Sequence, residues 1–260
     1  MTTDRFSVAG RTAIITGASS GIGAAIAEQF AADGADVVVC SREQGNVDPV
    51  AARINEGEGD GGRALAVECD VRDREAVEAL VAATVDEFGG VDVLVNNAGA
   101  SFMASFEELS PNGWETIVDI NLTGTFHCTQ AVGPHMRENG GGAIINVASV
   151  AGQMGSPYMS HYGAAKAGVI NLTATLSFEW AEDDVRVNCI APGFVATPGV
   201  ESQMGVSADE IRREEVKRRI GTAEEIADVA QFLASPASSY LVGETITARG
   251  VPRIMESPDI

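Results

Sequence analysis

The sequence predicts an α/β fold with a single doubly wound parallel sheet and helices on both faces. Short β-branched apolar runs alternate with longer helical stretches along the chain. Each connection between successive runs is long enough for a helical crossover, which parallel strands require. A chain of 260 residues could hold one such domain or two small ones. No linker or internal repeat divides it, so residues 1–260 read as one domain.

The first strand is Arg11–Thr16, RTAIIT. It runs into GASSGIG, Gly17 to Gly23, and then an amphipathic helix closed by Gly34. A glycine turn between strand and helix is the setting a dinucleotide pyrophosphate needs, because the helix N-terminus favours its charge. Gly17, Ser19, Ser20, Gly21, Ile22 and Gly23 are therefore candidate cofactor residues, with spacing G-x-x-x-G-x-G. The second strand, Ala35–Cys40, ends in Ser41-Arg42 where NAD-preferring enzymes commonly place a carboxylate. A guanidinium suits a 2′-phosphate, which favours NADP over NAD, although Glu43 could reach the ribose instead.

A helix is expected from about Pro49 to Glu56, and a third strand over Arg63–Cys69, ending at Asp70. The next helix runs roughly from Arg74 to Phe88, and a fourth strand, Val91–Val95, leads into Asn96-Asn97-Ala98-Gly99. A long helical stretch from Pro111 to Arg137 carries Asn121, a mediocre helix interior residue set among apolar neighbours that hint at burial. The fifth strand is AIINVAS, a sixth helix continues to about Trp180, and the sixth strand, VRVNCIA, precedes Pro192-Gly193. Residues 194 to about 213 break the periodicity and read as a mobile loop or short helices over the substrate. The charge run Arg212–Arg219 reads as a solvated helix face. A helix over Ala223–Ala234 and a strand, ETITA, complete the pattern.

Composition narrows the function. Formal net charge is −20, and Lys166 and Lys217 are the only lysines. Such a surface repels phosphate backbones, so nucleic acid is not an expected partner. Acid excess with lysine depletion suits a salt-rich cytoplasm, where self-repulsion is screened. No apolar run reaches the roughly eighteen residues of a membrane span, and the N-terminus lacks a basic, apolar leader. A cytoplasmic protein is expected. Cys40, Cys69, Cys128 and Cys189 form no C-x-x-C pair and read as small buried hydrophobes in a reducing compartment. His127, His135 and His161 share no ligand spacing, so no metal site is expected.

The stretch Ser149–Lys166, SVAGQMGSPYMSHYGAAK, carries the chemistry. Tyr162 and Lys166 stand four apart, on one helix face. A nearby ammonium favours the phenolate and lowers a phenol's pKa from about 10, giving a general acid–base group. Ser149 could bond a substrate carbonyl beside the tyrosine. Tyr158 has Tyr162 four residues on, not a cation, and gains no such activation.

Taken in order, TGASSGIG, Asp70, NNAG, Asn121, Ser149, YGAAK and PG with Thr197 resemble the short-chain dehydrogenase/reductase family over nearly the whole chain. The resemblance implies a Rossmann-like fold and a dinucleotide-binding and catalytic domain. It implies Tyr162 as proton donor to a carbonyl oxygen, Lys166 as the residue that lowers the tyrosine's pKa and holds the nicotinamide ribose, and Ser149 as the group polarising the carbonyl. It implies that Asn121 holds a water linking Lys166 to bulk solvent. It implies Asp70 and Val71 at the adenine, Asn97, Ala98 and Gly99 along the cofactor cleft, and Val195 and Thr197, beyond Pro192-Gly193, at the nicotinamide. The reaction implied is hydride transfer between NADP, or NAD, and a carbonyl or secondary alcohol.

NVASVAG, AAKAGVI and NCIAPGFVAT look like 3-oxoacyl thioester reductases of the acyl-carrier-protein and acetoacetyl-coenzyme A kinds. Sugar and alcohol dehydrogenases of the family carry similar stretches, and a non-catalytic nucleotide-binding protein could keep the fold. Most relatives are homotetramers, so one is expected here. The C-terminal TARGVPRIMESPDI departs from the family's usual glycine pair after an aspartate.

Overall fold

The computed structural model describes residues 5–57, 61–200, 211–215 and 219–251. Strands β1 (Thr12–Thr16), β2 (Asp36–Ser41), β3 (Ala64–Glu68), β4 (Val93–Asn96), β5 (Gly142–Val147) and β6 (Val185–Pro192) alternate with helices α1 (Gly21–Ala32), α2 (Gln44–Asn55), α3 (Arg74–Phe88), α4 (Pro111–Val118), α5 (Gly124–Glu138) and α6 (Ser160–Glu179). Strands β7 (Val195–Ala196) and β8 (Gly221–Thr222) make a small parallel pair, and helix α7 (Ala223–Ala234) and strand β9 (Thr245–Ala248) follow.

Among the described residues the main sheet has seven strands in the order β3-β2-β1-β4-β5-β6-β9, all parallel. The alternating side chains of each strand divide between two cores. Ile15, Val39 and Val95 bury against Phe30 of α1 and Ile226 of α7. Ile14, Val38 and Leu94 bury on the opposite face against Leu80 of α3 and Val132 of α5. Both sheet faces are covered, which explains the nearly unbroken apolar strands. Each large side chain so buried contributes about 1.5–3 kcal/mol.

Local signals end the helices. Asp73 caps α3 by accepting the N–H groups of Glu75 and Ala76, and Gly89 closes it at φ 85°. Thr222 and Glu225 form a reciprocal capping box on α7.

Several expected boundaries shift. Helix α1 begins at Gly21, inside the glycine motif. Helix α2 begins at Gln44 and carries Pro49 internally. Pro49 lacks the N–H that would bond the Gly45 carbonyl, so α2 loses one hydrogen bond and continues. The stretch 111–137 is not one α-helix: a π-helical turn, Asp119–Thr123, separates α4 from α5. The strand ending in AIINVAS stops at Val147, and Ser149 instead caps a short turn, Val150–Gly152.

Of the expected loop 194–213, residues 201–210 lie outside the described residues, and Val195–Ala196 form β7. Ile211–Glu215 is a turn rather than a helix face, and Val216–Arg218, including Lys217, lie outside the described residues. Arg213 and Arg219 reach α7, pairing with Asp228 and Glu225, each at 2.6 Å. The C-terminal departure lies largely outside too, from residue 252 onward.

Candidate active site

Strand order reverses at β1, whose neighbours β2 and β4 lead away in opposite directions. In an open parallel sheet the ligand crevice forms there, beyond the carboxyl ends of the strands. The ends of β1 and β4 are stitched together. The Thr16 hydroxyl accepts the N–H groups of Asn97 and Ala98, each at 3.0 Å. The Asn97 amide donates to the carbonyls of Thr16 and Gly17, each at 3.0 Å. Gly17 lies at φ 64°, and a Cβ on it would stand 2.7 Å from the Ala98 Cα, so only glycine fits.

Ser20, at the N-cap of α1, makes no side-chain capping bond. That leaves the N-terminus of α1, next to Ser19 and Ile22 in the chain, without a side-chain cap, and such a helix start suits a phosphate. A Cβ on Gly21 would lie 3.1 Å from the Thr197 side chain, which brings the segment after Pro192-Gly193 against the glycine turn. Val195 is buried there. This cradle fits a dinucleotide.

At its far end stand Ser41, Arg42, Asp70 and Val71. Arg72 grips the Asp70 carboxylate through its Nε, 3.0 Å from both oxygens. That contact, with help from Arg42, holds Asp70 below the usual carboxylate range. Arg42 is exposed at the end of β2, and the Ser41 hydroxyl donates to the Glu43 carbonyl. The Glu43 carboxylate accepts from Asn46 at 3.4 Å.

The catalytic candidates converge from β5, α6 and the π-helical turn. The Lys166 ammonium, almost wholly buried, donates to the Val147 carbonyl at 2.7 Å and lies 5.7 Å from the centre of the Tyr162 ring. Burial pulls its pKa down to about 8, so it remains mostly protonated at neutral pH. Asn121 is fully buried and donates to the carbonyls of Ala100 and Ile117, at 2.8 and 2.9 Å. Among the described residues its Oδ1 has no hydrogen-bond partner, and it lies beside Gly99 and the Lys166 ammonium. A buried orphan acceptor calls for a donor, and a water between it and the lysine would supply one. The π-helical turn widens the helix by one residue there, a distortion often found at functional positions.

Ser149 accepts the Ala151 N–H at 3.1 Å and bonds the Tyr162 side chain. The phenol departs from expectation. Burial raises the Tyr162 pKa above its ordinary value, and only the serine bond opposes that rise. The Lys166 ammonium is engaged by the Val147 carbonyl, and burial rather than the lysine charge governs the phenol while it holds its proton.

A buried network invisible to motif reading fixes α6 to the sheet. The Asn96 amide donates to Thr129 and Asn146, and the Asn146 amide to Thr173 of α6, each at 2.9 Å. Thr16, Asn96 and Asn146 were the missed positions. The polar residues at the end of RTAIIT and inside the apolar runs VDVLVNN and AIINVAS were the available signal.

A family model described as short chain dehydrogenase matches residues 11–205. Over 245 residues the chain is 44% identical to the short-chain reductase protein NovJ of Streptomyces niveus, covering 92% of each. It is 41% identical over 242 residues to a 3-oxoacyl-[acyl-carrier-protein] reductase of Synechocystis, covering 92% of this chain and 96% of that one. A solved 7α-hydroxysteroid dehydrogenase, complexed with NADH and 7-oxo glycochenodeoxycholic acid, superposes with a TM-score of 0.86 at 33% identity, covering 95% and 96% of the two chains. The chain belongs to the short-chain dehydrogenase/reductase family, a class of NAD(P)-dependent oxidoreductases. All four cysteines are free and buried, and no helix among the described residues is long and apolar enough to cross a membrane.

Proposed function

We propose that this chain is an NADP-dependent reductase that converts the ketone of a 3-oxoacyl thioester to a secondary alcohol. The observation that carries the chemistry is the convergence of Ser149, Tyr162, Lys166 and Asn121 beside the glycine cradle. Bound in that cradle, the nicotinamide supplies the hydride. The Ser149 hydroxyl orients the ketone oxygen. Tyr162, kept protonated by its raised pKa, donates its proton to that oxygen as the carbonyl carbon is reduced. Lys166, cationic and fixed by Val147, stabilises the phenolate left behind. The unpartnered Oδ1 of Asn121 holds a water through which the proton is replaced.

The 3-oxoacyl reading is supported by the similarity to the Synechocystis reductase. The NADP reading is supported by Arg42, whose field already reaches Asp70. The expected homotetramer is supported by Phe126 on α5 and Phe178 on α6, large apolar side chains left exposed on those helices. We further infer one dinucleotide-binding and catalytic domain working in a salt-rich cytoplasm, on the strength of the continuous seven-stranded sheet and the net charge of −20.

A spectrophotometric panel with both cofactors tests the substrate. Turnover of acetoacetyl-coenzyme A with NADPH is expected. No such turnover alongside fast oxidation of a sugar or alcohol would replace this reading with that of a sugar or alcohol dehydrogenase. Tyr162→Phe tests catalysis itself: reduction should fall by about 10²–10⁴-fold while cofactor binding survives. Unchanged turnover would remove the tyrosine from its role, and a wild-type chain that binds cofactor but turns over nothing would be a non-catalytic binder.

A further inference from the structure

We infer that Arg219 is a positioning residue for the cofactor: it fixes the short strand pair that holds Thr197 against the glycine turn, and so sets affinity for the nicotinamide half of the dinucleotide. The inference rests on the reading of Thr197 and of the cradle given above. Arg219 closes a charge run that the sequence presents as solvated, yet its side chain is only 18% exposed. A guanidinium carries five N–H donors in a fixed fork. Here every nitrogen is engaged. Nη1 and Nη2 grip the two Glu225 oxygens at 2.8 and 2.6 Å. Nη1 also donates to the Ile220 carbonyl and Nη2 to the Arg213 carbonyl, each at 3.1 Å, and Nε to the Glu215 carbonyl at 3.3 Å. An exposed ion pair holds little, but a bidentate, part-buried fork with three further bonds fixes its surroundings.

Glu225 passes that anchor on. Its Oε2 accepts the Thr222 N–H at 3.0 Å, and its own N–H donates to the Thr222 hydroxyl at 3.4 Å. The bond from Arg219 holds the Glu225 carboxyl below the usual carboxylate range, which keeps it an acceptor. Gly221 and Thr222 are β8, and they register against Val195 and Ala196 of β7. The Gly221 N–H also donates to the Phe194 carbonyl at 2.9 Å. A pair of two-residue strands has too few bonds to hold itself. Its placement comes from the start of α7, to which Arg219 and Glu225 tie it. Directly after β7 comes Thr197, whose methyl group would lie 3.1 Å from a Cβ on Gly21.

The other wall of the cradle refers to the same helix. Helix α1 starts in the glycine turn and packs along α7, with Ala27, Phe30, Ile226 and Ala230 in one core. The Gln29 amide donates to Asp228 at 3.1 Å and to Gln231 at 2.8 Å. Asp228 also pairs with Arg213 at 2.6 Å, and the Arg213 carbonyl is one that Arg219 holds. Helix α7 is therefore a common frame. Core packing sets α1 on it, and Arg219 sets the strand before Thr197 on it. The gap between Gly21 and Thr197 depends on both. The adenosine end is built from other elements: Ser41 and Arg42 at the end of β2, and Asp70 and Val71 after β3.

Binding titrations of the full chain test this without any substrate, so failure of the thioester reading leaves the test intact. NADPH and NADH are each compared with their adenosine fragments, adenosine 2′,5′-bisphosphate and AMP, so the choice between NADP and NAD does not decide the outcome. Arg219→Lys keeps a charge but loses the fork. Glu225→Gln keeps the shape of the partner and removes its charge. In both variants the Kd of the tighter dinucleotide should rise about tenfold, while that of its fragment stays within about twofold. Thr197→Ala should show the same split. Equal weakening of dinucleotide and fragment, the mark of a merely structural role, would overturn the inference, as would an unchanged dinucleotide Kd. A split in the Arg219 and Glu225 variants but not in Thr197→Ala would overturn the reading of Thr197 and sustain the positioning of β7 by Arg219.

Discussion

The Lys166 ammonium donates to the Val147 carbonyl at 2.7 Å, which ties α6 to the end of β5. Because burial holds its pKa at about 8, the lysine loses its charge as pH rises through that value, while Tyr162, shifted upward, keeps its proton. Reduction should therefore fall with an alkaline limb near pH 8. Stability should show the opposite sign for this residue. An unfolded lysine keeps its proton to about pH 10.4, so from about pH 8 to that value the unfolded chain binds more protons and Lys166's contribution rises with pH. A kcat profile that stays flat to pH 10 would remove the charge of Lys166 from the mechanism.

A methyl group on Gly99 would stand 2.7 Å from the Asn121 Oδ1 and 3.5 Å from the Lys166 ammonium. Gly99→Ala should destabilise the protein by about 1–3 kcal/mol through overpacking and lower kcat by displacing Asn121. Denaturant unfolding together with steady-state kinetics checks this, and wild-type values for both would mean that the cleft has slack there.

Arg42→Ala should weaken NADPH binding roughly tenfold or more and leave NADH nearly unchanged, because a charge-assisted bond to a 2′-phosphate contributes about 1.5–3 kcal/mol. Fluorescence titration of both cofactors decides it. Equal weakening would show that the arginine does not read the phosphate.

With 37 acidic against 17 basic side chains, the folded chain repels itself in dilute buffer. Raising salt to about 1 M should lift the unfolding midpoint by roughly 5 °C. A midpoint independent of salt between dilute buffer and that concentration would contradict salt adaptation.

The glycine turn, the Tyr162–Lys166 spacing and the strand–helix alternation were legible because each is a local pattern. Glycine between strand and helix, or two residues four apart on one helix, expresses its chemistry within a few residues. The π-helical turn around Asn121 was half legible: asparagine among TIVDINLTGTF signalled burial, but one inserted residue shifts the apolar phase by about 100°, and the short apolar segments on either side are too brief to reveal that shift. Pro49 was misread as a helix start because proline commonly stands there, whereas α2 absorbs it in its second turn. Tyr158 shows no such local pattern: its left-handed backbone is accompanied by a bond from the N–H of Ala104, 54 residues earlier in the chain.

The sequence by itself determined the fold class, the family and the residues of the candidate site, since these follow from periodicity, turn chemistry and short spacings. Only the tertiary structure decided the protonation tendencies and the buried network that joins α6 to the sheet. A phenol's acidity depends on what buries it and where the nearest charge is engaged, and a buried polar network is made by segments far apart in the chain. Both are properties of packing in three dimensions, which no single stretch of residues contains.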